Sequence, residues 1–579
     1  MRIRPALAVA GATLALAAPA SAQAGDPIMP LSEVRAGMEC TGLSVVRGTE
    51  IASFDVEVVD VVAGQQGAPA ARILVRVGGP AIEATGIGPG FSGSPVYCAD
   101  GAGTSRVIGA LAEAIGEFGN EVVLATPIEE ILGETPTPPT GASRDARMLR
   151  RARPLAAPLT VAGLHPALAR RLPPAGARAG RTLLASPPGP LGTFAPQQLR
   201  PGAAVAVGLT SGDLGLGAIG TVAYADGDAV WAFGHPFDGT GPRSLLLQDA
   251  YVYTVIGNPF GVEPAFTYKL ASPGHDIGTL TNDAAGAVVG RVGALPRTIP
   301  IKVVAQDLDS GRVSVVELRA ADEAPLGLPS ASSALSLATP LAVAQAGTQA
   351  LRGVPSRVTA SLCLRIELEE RERPIRFCNR YVAGGSADAD AGGLGAPMTD
   401  AANAIGFLDA FNFGPLRVTS VEVNLKLRRG LRQGYLTRVS APRRVRRGQR
   451  VPVTVTVRRV NGPSQRRRFR LRIPRSSPTG LVELELAGTA TDLFTDEIII
   501  DFDELLSEGT DEDFDPGEPG PRDVDELAAE IESLRRYDGV AARFGRPGRR
   551  SGRALVRRAL RDRGIRISGR ASTLIRVVR

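Results

Sequence analysis

The chain has 579 residues, too many for one hydrophobic core and enough for three or four domains. An apolar fraction of 44% excludes a wholly disordered protein, while 68 glycines, 45 prolines and only 4% aromatic residues, set between short Val/Ile/Leu/Thr runs, point to β structure with many turns. The net charge of +7 rests on arginine, because only Lys269, Lys302 and Lys426 are lysines, a bias that fits a GC-rich genome.

Residues 1–24 carry Arg2 and Arg4, an apolar run from 6 to 18 and small residues in an A-x-A pattern, as a secretory signal peptide does. No later stretch reaches the eighteen apolar residues of a membrane helix, so no membrane span is expected after cleavage and the protein is expected to be secreted or held in the cell envelope. Export makes the four cysteines candidates for disulfides. Cys363 and Cys378 flank "LRIELEERERPIRF", which reads as a hairpin that sets them opposite each other, and Cys40 then pairs with Cys98. His165, His235 and His275 lie far from any cysteine and no C-x-x-C occurs, so no metal site is expected.

Period-two alternation from Met38 to Val62, at 71–79 and again through "SRVIGALAEAIG" and "EVVLATPIEEIL" predicts a compact β unit over 25–135, ending in one helical turn. Residues 136–199, rich in Pro, Ala and Arg, read as a linker or loop region. A second β unit spans 200–325 and contains the hairpin "GAIGTVAYADGDAVWAFGHPF", with its turn at Asp226-Gly227 and a stop at Gly234-His235-Pro236. A β extension with the cysteine hairpin follows over 326–409, and a small β-sandwich over 410–490. Residues 491–579 read as an acidic linker, one amphipathic helix with Leu527, Ile531 and Leu534 on one face, and a basic tail. Thirteen arginines and no acidic residue lie between Arg443 and Arg475; a polyanion-binding patch and the solvated face of a sheet both fit them.

The stretch "GIGPGFSGSPVYC" (86–98) raises the chemical question. Gly and Pro make tight turns, and a turn between strands explains it. The same residues also present a serine hydroxyl on a sharp bend with backbone amides around it, as nucleophilic catalysis requires. A base is then needed, and of the three histidines only His235 sits at the end of a predicted strand in a glycine-rich setting; His165 falls near the start of a short helix and His275 in a turn.

Together these segments resemble the SpoIVB-type serine peptidases, grouped with the chymotrypsin-like enzymes. "TGIGPGFSGSPVY" (85–97) with "IGALAEAIGEFGNEVVLATPIEEIL" (108–132) is similar to that family's T-G-G-x-x-x-G-M-S-G-S-P core, "GTVAYADGDAVWAFGHPF" (220–237) to its histidine segment, and "IGTLTNDAAGAVVGRVG" (277–293), more weakly, to a later glycine-rich stretch. The resemblance covers somewhat less than half of the mature chain. It implies Ser92 as nucleophile, with Ser94 as backbone support, His235 as general base and the Gly90 and Ser92 amides as oxyanion hole. The fold expected is mainly β: two chymotrypsin-like half-barrels in permuted order, serine block first, then the β-sandwich-like domain and a short α-containing tail. Phe91 stands where the family has Met. No acidic residue lies at the family's position upstream of the serine, which leaves Asp228, Asp238 and Asp283 as candidates for the orienting acid.

The expected activity is that of an exported serine endopeptidase acting through an acyl-enzyme on a peptide or protein substrate, including its own chain, without cofactor, metal or specific nucleic acid. The alternative is a non-catalytic envelope binding or scaffold protein that keeps the peptidase fold.

Overall fold

The structure is a computed structural model. It describes residues 25–579 except 65–70, 116–120, 141, 143–152, 156–157, 173–181, 240, 258–266, 327–332, 385–393, 415, 489–519, 535, 537–538, 548–553 and 562–563. The signal peptide expected over 1–24 and most of the acidic stretch that follows residue 490 lie outside the described residues.

Alternation in the first unit turns apolar residues inward and polar residues outward: in one strand Phe54, Val56 and Val58 are buried while Asp55 and Glu57 face water. With every strand apolar on one face, the sheet buries that face by curling onto itself. Strands β1 (Glu39–Arg47), β2 (Glu50–Val62), β3 (Arg72–Gly78), β4 (Pro95–Ala99), β5 (Ser105–Ala114) and β6 (Val122–Pro127) pair in the order β4-β1-β2-β3-β6-β5, and a β4–β5 pairing closes the barrel. Cys40 and Cys98 face each other across β1 and β4 and form a disulfide. A single helical turn, Ile128–Ile131, ends the unit as its sequence predicts.

The second unit repeats the scheme. Strands Ala204–Gly208, Gly241–Ile256, Tyr268–Asp283, Val288–Val292, Ala229–Ala232 and Gly215–Asp226 pair in that order, and pairing of Ala204–Gly208 with Gly217–Thr221 joins the ends. The chain is thus mainly β with a serine-bearing barrel ahead of a histidine-bearing one. The interval 136–199 is more than a linker. Strand Leu159–Ala162 adds to the second sheet beside Gly215–Ala218, strand Leu183–Ser186 pairs with it, and Arg153–Pro154 adds to the first. Each segment is too short to show a period among its Pro and Ala residues.

A mixed six-stranded sheet follows, in which Thr298–Asp307 runs parallel to Val418–Arg429 and the Arg357–Leu368/Arg371–Gly384 hairpin carries the Cys363–Cys378 disulfide. Two helices, Ala334–Leu351 and Gly395–Asp409, lie in what the sequence suggests is a β extension. The first is buried nearly all round, so it has no polar stripe to betray a helical period. The amphipathic helix is Val524–Ser533, capped by Asp523, with Leu527 and Ile531 buried against this region.

The sandwich begins at Gln433 rather than 410 and uses the chain as far as Val578. Strands Gly539–Gly545 and Arg570–Val578 flank Gly480–Gly488 in one of its sheets. In the other, Val451, Val453, Val455 and Val457 point inward, while Arg466, Arg468, Arg470 and Arg472 of the neighbouring strand are exposed on its outer side; Arg467, opposite Val455, is exposed as well.

Candidate active site

The link from β3 to β4 contains the serine turn. Gly90 (φ +96°) and Gly93 (φ +89°) adopt the left-handed backbone that side-chain-bearing residues resist. Phe91, fully buried in the first barrel's core, anchors the tip between them. The Phe91 amide donates to Gly88 O (3.0 Å), Gly93 to Leu111 O (2.7 Å) and Ser94 to Phe91 O (2.9 Å). Among the described residues the Gly90 and Ser92 amides have no acceptor. The Ser92 hydroxyl, 0% exposed, has no hydrogen-bond partner either.

A second turn from the other barrel meets it. Strand Ala229–Ala232 stops where Phe233 and Gly234 both take φ +70°; for Phe233 this is a strained conformation held by its surroundings. The serine turn touches both this turn and the neighbouring strand Gly215–Asp226 backbone to backbone. Thr221 N donates to Ser92 O at 2.8 Å, and a β-carbon on Gly93 would lie 2.0 Å from Thr221 O and 2.5 Å from Phe233 N. One on Gly220 would lie 2.3 Å from the Phe233 ring. Thr126 Oγ1 of β6 donates to Gly234 O at 2.6 Å, completing the join.

This contact brings the serine and histidine blocks together, but their side chains do not bond each other. His235, 4% exposed, has Nδ1 2.7 Å from Pro236 O and Nε2 3.2 Å from Leu155 O. Burial lowers its pKa, so the ring is neutral near pH 7 and carries one N–H. A carbonyl oxygen only accepts, so a single proton bonds one of the two carbonyls; the shorter of the two contacts is the one at Nδ1.

None of the three aspartates reaches the imidazole. Asp228 pairs with Arg291 on the exposed hairpin (2.7 Å) and Asp238 with Arg243 (3.2 Å). Asp283, fully buried, accepts from the amides of Phe237, Asp238 and Gly239 at 2.6–2.8 Å. It therefore fixes the loop that follows His235 rather than the ring. Among the described residues the only histidine–carboxylate pair is His275 Nδ1 with Asp249 Oδ2 (3.0 Å), on strand Tyr268–Asp283 and remote from the serine in contacts. His165 caps the short helix Pro166–Ala169.

Lys269 is the residue the sequence reading passes over. Its amide donates to Pro89 O (3.0 Å) and its stem lies where a Gly90 side chain would be, 2.9 Å from an ideal β-carbon. Its Nζ donates to Ser44 Oγ (2.8 Å) and Thr221 Oγ1 (3.0 Å) and sits 4.5 Å from the Phe91 ring centroid. Ser94 Oγ donates to Ser44 Oγ (2.9 Å), and Thr221 Oγ1 donates to Gly90 O (2.9 Å). Ser94 thus supports the turn while Ser92 remains unengaged. Among the described residues no carboxylate bonds this ammonium, and desolvation lowers its pKa to about 7. The available signal was scarcity: Lys269 is one of only three lysines in an arginine-rich chain.

In comparison with known proteins, the chain matches no family model, no curated protein and no solved structure.

Two outcomes follow from this geometry. Gly93→Ala destabilises the protein by about 2–4 kcal/mol, because it adds steric overlap to an unfavourable φ. Gly103→Ala, at φ +82° with nothing within 4 Å, costs only about 1 kcal/mol; urea midpoints compare the two. For Lys269 the folded-state pKa lies below the unfolded value, so between pH 7 and 10 the unfolded chain binds more protons and stability rises with pH. The slope reaches at most about 1.4 kcal/mol per pH unit, and urea titrations from pH 6.5 to 9.5 will show it in the wild type and a flatter profile in Lys269→Met.

Proposed function

We propose that the protein is an exported serine peptidase of the SpoIVB type, described here in its closed form, with Ser92 as nucleophile, His235 as general base and the Gly90 and Ser92 amides as oxyanion donors. The observation that carries this reading is the set of polar groups left unused. In a fully buried turn, the one hydroxyl without a partner and two amides without acceptors belong to the residues the chemistry needs. Buried polar groups are nearly always paired, and exceptions call for a role.

The imidazole supports the same reading. With Nδ1–H donated to the Pro236 carbonyl, Nε2 is the basic nitrogen, as a serine's base requires. A backbone carbonyl thereby takes the tautomer-fixing part that the sequence left without an acid. Once the Leu155 carbonyl leaves Nε2, the ring can accept the Ser92 proton as Oγ attacks a peptide carbonyl carbon. The resulting oxyanion is held by the two amides. On collapse the amine leaves with the proton from Nε2, and water then hydrolyses the ester by the reverse proton path. The leader-like N-terminus and the two disulfides favour action outside the cytoplasm, in the envelope or the medium.

A second reading, a non-catalytic envelope binding or scaffold protein, is favoured by one observation: both imidazole nitrogens face backbone carbonyls and neither meets a carboxylate. The exposed arginines of the sandwich would then supply its contacts to a polyanion.

A fluorophosphonate probe separates the two. The peptidase reading expects labelling of the wild type, at least tenfold less in His235→Ala and none in Ser92→Ala. Absence of label on folded wild type supports the binding reading, and label lost in Ser94→Ala but retained in Ser92→Ala would assign the wrong serine.

A further inference from the structure

The strand Arg153–Pro154 is an unusual addition to a closed barrel. On β5, the edge facing the serine turn is used by β4 as far as the Pro95–Ala110 pair, and Leu111 then exchanges hydrogen bonds with Gly93 and Ser94. Beyond that point β5 carries a bulge between Leu111 and Glu113, and its edge is taken by residues from much later in the chain. Glu113 pairs with Pro154 and Ala114 with Arg153, antiparallel, and Leu155 N donates to Ala112 O at 2.8 Å. The segment 153–155 therefore lies end to end with the serine turn along the same strand.

Leu155 is 3% exposed and belongs to the same buried cluster as Ile87, Phe91 and Leu111, so its side chain fills a place in the first barrel's core. Its carbonyl oxygen faces His235 Nε2. The neighbouring Glu113 carboxylate is already bonded to Arg72 (3.1 Å), which also holds Glu130 (2.8 Å). The edge thus offers main-chain groups and an apolar pocket without an unpaired charge. Among the described residues the attachment is short: two register pairs, one of them to a proline without an N–H, the Leu155 amide on Ala112 O, the Leu155 carbonyl beside His235, and the buried Leu155 side chain.

We propose that the β5 edge at Ala112–Ala114 is a groove for an extended peptide with leucine next to the serine turn, occupied here by the chain's own Arg153–Leu155 strap. A peptide bound there adds as an antiparallel strand, main-chain bonds holding it and the Leu155 pocket selecting it. The inference deepens the peptidase reading and rests on it for one consequence, that the leucine carbonyl of the occupant is the group presented to the imidazole. The groove as a binding site does not depend on catalysis.

The test uses the full-length protein carrying Ser92→Ala, so that nothing is cleaved, and a fluorescein-labelled hexapeptide Arg-Ala-Arg-Pro-Leu-Ala read by fluorescence anisotropy. Two strap variants are made on that background. Leu155→Ala empties the pocket, and Arg153→Pro removes a backbone N–H from the strap while leaving the core intact, so one remains if the other fails to fold. Each folded variant is expected to bind the peptide at least tenfold more tightly than the unaltered strap allows, and to bind the Leu→Gly peptide at least tenfold more weakly. Equal binding with and without the strap changes, equal binding of the two peptides, or no binding by a folded strap variant overturns the proposal. Binding without fluorophosphonate labelling of the Ser92-containing protein would leave the groove standing and remove the peptidase reading alone.

Discussion

The site depends on a serine turn that meets both the Phe233 turn and the strand Gly215–Asp226 backbone to backbone. Thr221 N reaches Ser92 O, and Gly93 approaches both Thr221 O and Phe233 N at distances no β-carbon would permit. Each turn comes from a different closed barrel, and closure makes each rigid enough to hold a left-handed tip against the other. Phe233 in particular keeps φ +70° because the Gly220 strand lies under its ring and the serine turn lies across its amide. Strain held this way is common at functional sites, where surrounding packing over-determines the backbone.

Polar groups tie the contact from beneath. Lys269 enters from the second barrel, passes under Gly90 and ends among the hydroxyls of Ser44 and Thr221, the first of which also receives Ser94. Asp283, three amides deep, fixes the loop after His235. The hydroxyls of Ser44, Ser94 and Thr221 belong to this network, whereas that of Ser92 has no partner among the described residues, and so the serine stands apart from these neighbours. The imidazole lies between two backbone carbonyls, that of Pro236 at Nδ1 and that of Leu155 at Nε2.

The barrels and both disulfides were legible because they follow from local rules: period-two alternation, glycine-marked turns and cysteines placed opposite each other on paired strands. The meeting of 86–98 with 220–237 was legible only through motif resemblance, since nothing local joins residues so far apart in the chain. What escaped notice did so for physical reasons. Helix Ala334–Leu351 is apolar on every side and so lacks a stripe. The sandwich is split, its strands Gly480–Gly488 and Gly539–Gly545 being neighbours in space but separated in sequence by the acidic stretch. The strap 153–155 hides in a Pro/Ala/Arg-rich run with no period, and the three candidate aspartates turn to Arg291, Arg243 and loop amides instead of the ring. Side-chain direction at the end of a long loop is set by tertiary packing, which spacing alone does not encode.

The most direct measurement is a crystal structure of the protein after treatment with a small fluorophosphonate. The account predicts a phosphorus bonded to Ser92 Oγ, a phosphonyl oxygen within hydrogen-bond distance of the Gly90 and Ser92 amides, and His235 Nε2 released from the Leu155 carbonyl. An unmodified Ser92, with the imidazole still bracketed by Pro236 and Leu155, would contradict it.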